Sequence, residues 1–359
     1  MSRYSRHIVL DEIGQAGQDK LSKAKVLVVG AGGLGCPVLQ YLTAAGIGTI
    51  GVVDFDVVEE SNLQRQVLFG TSSLGLNKAL AAKERLEDLN PTILIKAYSE
   101  KLSPKNALDL FEQYDIIIDG TDNFAARYLI NDASVITKKP VVYGAIYKFE
   151  GQVSVFNYHG GPSYRCLFPS PPKEGSVANC SEVGVLGVLP GVIGTMQANE
   201  VLKIILGFDG VLSGKLLCYN SKTAETVKLK VPKDASEIDK VLSRKDSFHD
   251  FNYEAFCNVF AQEISAEEAI FLENTQFIDV REVDELPTIE VENYIQIPLG
   301  SIEQSMDQIH SEKKKILFCQ TGIRSKEAVK LLQKHNQQNC YSLKGGAIAI
   351  LEHLKLETK

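Results

Sequence analysis

Three groups of residues in this chain have types and spacings suited to chemistry. The first is Gly30-Ala31-Gly32-Gly33-Leu34-Gly35, a G-x-G-x-x-G that follows the apolar run Lys25 to Gly30 and opens a helical pattern. In that context glycines let backbone amides approach a phosphate at a helix N-terminus. Asp54 follows Gly35 by 19 residues at the end of the next apolar run, where a carboxylate can bind ribose hydroxyls. Alone, these residues imply a nucleotide site or a tight structural turn, and they do not choose between NAD and ATP. The second group bears on that choice: Ser61-Asn62-Leu63-Gln64-Arg65-Gln66, Lys78 and Gly120-Thr121-Asp122-Asn123. Fixed cations stabilise negative charge developing on a triphosphate, and an Asp can hold magnesium. A dehydrogenase has little use for an Arg, a Lys and an extra Asp beside the phosphates. The third group is Cys319-Gln320-Thr321-Gly322-Ile323-Arg324-Ser325, again between an apolar run and a helical pattern. Inward-pointing amides and a helix dipole there would lower a thiol pKa and stabilise an anionic sulfur.

These residues need a frame to hold them. Residues 25 to 30, 49 to 56, 93 to 99, 115 to 120 and 140 to 146 read as buried strands, and Leu34 to Ala45, Leu76 to Asn90 and Ala125 to Thr137 show helical spacing between them. The alternation predicts an α/β fold with a mostly parallel, helix-covered sheet of the Rossmann type. A second, smaller alternation follows: helix over 266 to 274, strands over 276 to 280, 313 to 319 and 340 to 343, and a helix over 325 to 335. Residues 231 to 258 are polar and charge-mixed with little period. The boundaries expected are 1–230 for the first domain, 231–261 for a linker and 262–359 for the second.

Composition agrees with two soluble modules: 359 residues at roughly 150 per domain, with 44% hydrophobic and 23% charged residues, ordinary globular values. The uncharged run Val183 to Asn199 contains Pro190 and four glycines, and no stretch is continuously apolar over about 18 residues, so no membrane span is expected. The N-terminus lacks the apolar core of a secretory signal. Seven cysteines, odd in number and without a framework spacing, suit free thiols, and a cytoplasmic location is expected. Lys and Arg total 38 against 45 Asp and Glu; no nucleic-acid partner is expected from such a balance.

Together the glycine loop, Asp54, SNLQRQ, Lys78 and DGTDN resemble the MoeB/ThiF family of ubiquitin-activating-type adenylyltransferases over about residues 1 to 230. The resemblance implies that Gly30, Gly32, Gly33, Gly35, Asp54, Ser61, Asn62, Leu63, Gln64, Arg65, Lys78, Asp122 and Asn123 form an ATP site with Asp122 as the Mg2+ ligand. It implies that Arg6 reaches the partner's site in a homodimer, and that the substrate is the C-terminal glycine of a small ubiquitin-like sulfur carrier. Arg65 and Lys78 would act on the transition state. Cys180, in ANCSEVGVLGVLPGVIG, matches the family's reactive cysteine, ahead of a helix expected from near Pro190 to Gly207. Relatives usually carry two C-x-x-C pairs for structural zinc. Here the first reads Ser163-Tyr164-Arg165-Cys166 and no cysteine stands near the second. No zinc is expected, and packing must hold that region instead.

Cys319 and its loop, with Asp279-Val280-Arg281-Glu282 before it and Leu343-Lys344-Gly345-Gly346 after it, resemble a rhodanese sulfurtransferase domain over about 262 to 356. The loop 319–325 would cradle a persulfide, received from a donor such as a cysteine desulfurase. Asn293-Tyr294-Ile295-Gln296-Ile297-Pro298 departs from the family's usual H-I-P-G-A, which leaves the donor open. An activated carboxylate and a sulfur nucleophile on one chain imply a carrier thiocarboxylate as product, for molybdopterin, thiamine or tRNA thiolation. Two alternatives stay open at this point. One is an NAD(P)-dependent oxidoreductase fused to a sulfurtransferase domain; the other is a non-catalytic scaffold for ubiquitin-like proteins.

Overall fold

The computed structural model describes residues 3–172, 184–257, 262–289, 291–335, 337 and 339–357. The chain divides into two compact units, Met1–Tyr253 and Glu254–Lys359.

In the first unit, α1 (Ser5–Ile8) and α2 (Gly14–Lys23) precede β1 (Lys25–Val29), α3 (Gly35–Ala45), β2 (Thr49–Val53), α4 (Lys78–Leu89), β3 (Leu94–Tyr98), α5 (Pro104–Glu112), β4 (Ile116–Asp119), α6 (Phe124–Thr137) and β5 (Val141–Tyr147). Next come β6 (Glu150–Phe156), α7 (Tyr164–Leu167), α8 (Val188–Leu206), β7 (Lys215–Asn220), β8 (Thr226–Lys230) and α9 (Ala235–Leu242). Among the described residues the strands form one eight-stranded sheet in the order β3-β2-β1-β4-β5-β6-β7-β8. Its first five members run parallel, as the β-branched runs predict. The last three extend it antiparallel. Val26, Leu27 and Val28 of the central β1 are fully buried, as strands covered on both faces must be. Helix α8 packs on α3, β5 and β6; it carries Pro190 in its first turn, where the missing N–H costs nothing, and ends at Gly207 in the left-handed conformation.

The order β2-β1-β4 reverses direction between β1 and β4, which opens a crevice at their carboxyl ends, the usual ligand position in such sheets. Gly30, at φ +94, sits there against the backbone of Gly120: a Cβ on it would stand 2.8 Å from that carbonyl oxygen. Only glycine fits both the dihedral and the approach.

Residues 231–253, within the stretch 231–261 expected as a linker, lie in the first compact unit. Helix α9 is capped by Asp234, whose Oδ1 accepts from Ser236 N at 2.9 Å, and it packs against α6 and α7. Val231, Val241, Phe248 and Tyr253 are all buried. Their irregular spacing carries no helical or strand period, so the segment reads as unstructured, yet each residue finishes the core of the first unit.

The second unit contains β9 (Gln262–Ile264), α10 (Ala266–Ile270), β10 (Thr275–Asp279), β11 (Tyr294–Gln296), β12 (Lys314–Phe318), α11 (Ile323–Lys334), β13 (Cys340–Leu343) and α12 (Gly346–Glu357). Its strands, in the order β11-β10-β12-β13-β9, are all parallel. Ile278 and Leu317 enter one buried cluster with Val329 and Leu332. Phe277, Ile316 and Phe318 enter another with Leu343 and Ile350. Alternate residues of β10 and β12 thus face two cores, the period of two expected of a sheet covered on both sides.

Candidate functional site

The crevice of the first unit is built by mutual support among the predicted residues. Asp54 ends just beyond β2, with Oδ2 accepting from Ala31 N at 2.7 Å and Oδ1 from Asp56 N at 2.9 Å. It therefore fixes the glycine loop and keeps one free acceptor direction on each oxygen. Burial raises its pKa, opposed by those two amides and by Lys78. A Cβ on Gly33 would stand 3.1 Å from Pro190 Cβ and 3.6 Å from Arg65 Cγ, which brings the glycine loop, the first turn of α8 and Arg65 together. Arg65 Nη1 donates to Ser61 O at 2.9 Å. Lys78 is the first residue of α4 and is buried; its Nζ lies 3.2 Å from Asp56 Oδ2. Asn77 caps that helix, its Oδ1 accepting from Ala79 N and Leu80 N. The cap sets the direction in which α4 presents Lys78.

Other members of the predicted set serve the backbone. Asn62 is buried, and its Oδ1 accepts from Glu59 N at 3.2 Å; Asn123 Oδ1 accepts from Ala126 N at 2.9 Å and caps α6. Ser61, Gln64 and Asp122 are exposed, and Leu63 is half-buried. The Asp122 loop is secured from beneath: Thr121 Oγ1 donates to Asp119 Oδ1 at 2.6 Å, and Arg127 Nη2 donates to Thr121 O at 3.3 Å. Arg6 is exposed on α1 and makes no hydrogen bond or ion pair among the described residues. Cys36, next to the glycine loop, is a buried thiol pushed up to about 12 by burial and is inert at neutral pH. Cys180 lies outside the described residues.

Asp122, an exposed carboxylate on the loop after β4, suits a hard cation that prefers oxygen ligands, such as magnesium. The zinc position does not suit its metal. Cys166 Sγ accepts from Ser163 N and Asp234 N, each at 3.3 Å, so among the described residues one thiol stands where a tetrahedral site needs four ligands. Beside it, Arg165 makes a buried pair with Asp132, Nε to Oδ1 at 2.6 Å and Nη2 to Oδ2 at 2.8 Å. Tyr253 Oη donates to the same carboxylate at 3.0 Å.

In the second unit, Cys319 stands immediately after β12. Gly322 N donates to its Sγ at 3.2 Å, and Ser325 Oγ lies 3.9 Å away. Burial raises the thiol pKa, but the N–H groups of Ser325, Thr321 and Gly322 and the Ser325 hydroxyl outweigh it and leave the pKa below the ordinary value. The loop rests on a buried ion pair: Arg281 Nη2 to Asp279 Oδ2 at 2.7 Å, with Arg281 Nη1 donating to Gln320 Oε1 at 3.1 Å. Ala347 N donates to Cys319 O at 2.8 Å and ties the loop to the start of α12. Arg324 is held by Glu285, which is absent from the predicted set.

Sequence reasoning also missed Asp56, Asn77 and Asp119 as supports. Asp56 had a visible signal, two residues after Asp54 on the same strand end, and Asp119 another, two residues before the Thr121 it supports; Asn77 in addition donates from Nδ2 to Asp54 O and Asp56 O, 23 and 21 residues earlier.

A doubly wound sheet with a glycine loop at its reversal point defines the first unit as a nucleotide-site module, and the amide-lined cysteine defines the second as a sulfur-handling one. The chain belongs to the ThiF family, whose model matches residues 4–241; a rhodanese-like domain matches residues 264–353. The chain is 40% identical over 368 residues to the probable adenylyltransferase/sulfurtransferase MoeZ of Mycobacterium tuberculosis, covering 97% of this chain and 92% of that one. It is 49% identical to the sulfur carrier protein adenylyltransferase of Thermus thermophilus, over 72% of this chain and 97% of that one. The Xenopus laevis adenylyltransferase and sulfurtransferase MOCS3 is 39% identical over 98% of this chain and 86% of its own. A crystal structure of E. coli MccB with ATP shares the fold, with a TM-score of 0.57 at 23% identity over 65% of this chain and 72% of that one.

Proposed function

We propose that this enzyme adenylates the C-terminal glycine of a small ubiquitin-like sulfur carrier with ATP and then transfers sulfur from a persulfide on Cys319. The reading rests on one pairing within a single chain: a glycine loop backed by the buried Lys78, and a thiol held by amides in the Cys319 loop. The relatives' names point the same way.

The carrier carboxylate attacks the α-phosphorus of ATP, pyrophosphate departs, and an acyl-adenylate forms. Arg65 and Lys78 stabilise the charge that develops on the phosphates. Asp54 takes the ribose hydroxyls, and Asp122 would hold magnesium, which would supply positive charge against the phosphates. Arg6 completes the site of a second copy in a homodimer. The terminal sulfur of the Cys319 persulfide, supplied by a donor such as a cysteine desulfurase, attacks the acyl carbon and AMP leaves. Cys180 then attacks the Cys319 sulfur of the acyl disulfide. The thiocarboxylate leaves with the electron pair, and a Cys180–Cys319 disulfide remains for a thiol reductant.

Pyrophosphate exchange that requires a Gly-Gly-terminated carrier, followed by the oxygen-to-sulfur mass gain at the carrier's C-terminus, tests the sequence of steps. Tight NADH binding with no exchange would overturn it in favour of the oxidoreductase alternative.

A further inference from the structure

The cations within the Cys319 loop and directly beneath it, Arg324 and Arg281, are already paired. Arg324, inside the loop, meets Glu285 in a two-point contact, Nη1 to Oε1 at 2.5 Å and Nη2 to Oε2 at 2.6 Å. The carboxylate is pre-set by its own turn: Glu282 N donates to Glu285 Oε1 at 2.9 Å, and Glu285 N to Glu282 O at 3.1 Å. Arg324 holds the Glu285 carboxyl down to about 2, so both partners stay charged throughout the working pH range. Arg281 is engaged by Asp279, and Lys326 lies 2.9 Å from Glu263. Large apolar side chains are also open there, Val283 at 79%, Leu286 at 77% and Ile323 at 77% exposure, beside the exposed Glu282 and Asp284.

We infer that Glu285 is a specificity-determining residue of the persulfide loop: by engaging Arg324 it withholds the loop's cation from small dianionic sulfur donors. The inference rests on the reading of Cys319 as the persulfide carrier. With thiosulfate as donor, the Cys319 thiolate attacks the outer sulfur, the S–S bond breaks, and sulfite leaves with the electron pair. Three negative charges are present before and after the step. A dianion approaching this thiolate needs a cation that is not already neutralised, and a fixed carboxylate beside that cation repels it. Donors whose sulfur arrives without two adjacent charges, framed by apolar surface, lose nothing to Glu285. Glu285 acts through Arg324 and is a positioning residue.

The test uses the full chain and the variants Glu285→Gln, Arg324→Gln and the double variant. Thiosulfate:cyanide sulfurtransferase activity is measured, and Cys319 alkylation by iodoacetate and by its neutral isostere iodoacetamide is followed on the Cys319 peptide by mass spectrometry. In Glu285→Gln, kcat/KM for thiosulfate should rise on the order of ten-fold, mainly through KM, since one full charge is removed near a dianion. The iodoacetate-to-iodoacetamide rate ratio should rise with it, while the iodoacetamide rate, compared at a pH where Cys319 is fully thiolate in every variant so that it reports an intact loop, stays unchanged. In the Arg324→Gln background the Glu285 substitution should give no rise. An unchanged alkylation ratio in Glu285→Gln, or an equal rise without Arg324, overturns the inference. Absence of any Cys319 persulfide in wild type and variants would instead overturn the persulfide reading, and the alkylation ratio would still decide the role of Glu285.

Discussion

Lys78→Met separates catalysis from folding at the nucleotide site. The Lys78 side chain is 9% exposed and its partner Asp56 is 50% exposed. Removing the ammonium therefore leaves behind a half-solvated carboxylate rather than a buried orphan charge. A pair of that kind is worth at most about 1 kcal/mol, which lowers the melting temperature of a unit this size by about 2–4 °C. The effect on chemistry is larger. A preorganised donor aimed at developing charge in a site shielded from water contributes about 3 kcal/mol, roughly 10²–10³ in rate. Carrier-dependent ATP–pyrophosphate exchange should then fall at least a hundred-fold in Lys78→Met while the melting curve hardly moves. Asp56→Asn keeps the cation and loosens only its anchor, so it should lose less than about ten-fold, the scale of one modest hydrogen bond. Exchange in Lys78→Met within a few-fold of wild type would show that the buried ammonium serves the fold and not the phosphates. A collapse in melting temperature would show that Asp56 cannot be left alone, against the exposure argument.

Asp122→Ala should abolish exchange and leave thiosulfate sulfurtransferase activity intact, because the two chemistries belong to separate units; equal loss of both would refute that separation. Cys319 alkylation by iodoacetamide, followed against pH, should rise with a midpoint below that of a solvent-exposed cysteine measured alongside in a short peptide, since the loop amides favour the thiolate; a midpoint above the peptide's would mean that burial dominates. Asp132→Ala removes the carboxylate that holds Arg165, only 2% exposed, by two bonds, and should cost about 3–5 kcal/mol, read as a fall of about 10 °C in the first unit's melting. A fall of under about 3 °C would mean that water replaces the lost carboxylate.

The parallel core and the loops at its strand ends are legible because they rest on local signals: β-branched runs, helical spacing, and glycines just past a strand. The three strands β6, β7 and β8 escape such a reading. β7 is only partly buried and every residue of β8 is exposed, so these strands lack the continuous apolar run that marks β1 and β4; they are held by antiparallel pairing to neighbours up to 70 residues away in register, as Glu150 is to Asn220. The same difference separates the site residues. Gly30 and Lys78 can be found from spacing, and Cys319 from the turn it occupies. Glu285 cannot, because its meaning depends on Arg324, 39 residues later.

That difference also explains why residues 231–253 read as a linker. Their polarity is real, but stability there comes from a few buried anchors and from one shared carboxylate. Asp132 on α6 receives Arg165 from α7 and Tyr253 from the end of the segment, while Asp234 N reaches Cys166 Sγ across 68 residues. A buried guanidinium with an oriented carboxylate and a phenol is strong only when every partner is present. Such a cluster draws three separate stretches of chain together without giving any one of them a period. The position where the family resemblance would place zinc-bound thiolates carries hydrogen bonds and an ion pair among the described residues, and helix α9 is fastened there by the contact of Asp234 N with Cys166 Sγ. The fold at that point follows from satisfying buried charge, a constraint that acts between elements and leaves no trace in the local pattern of any one of them.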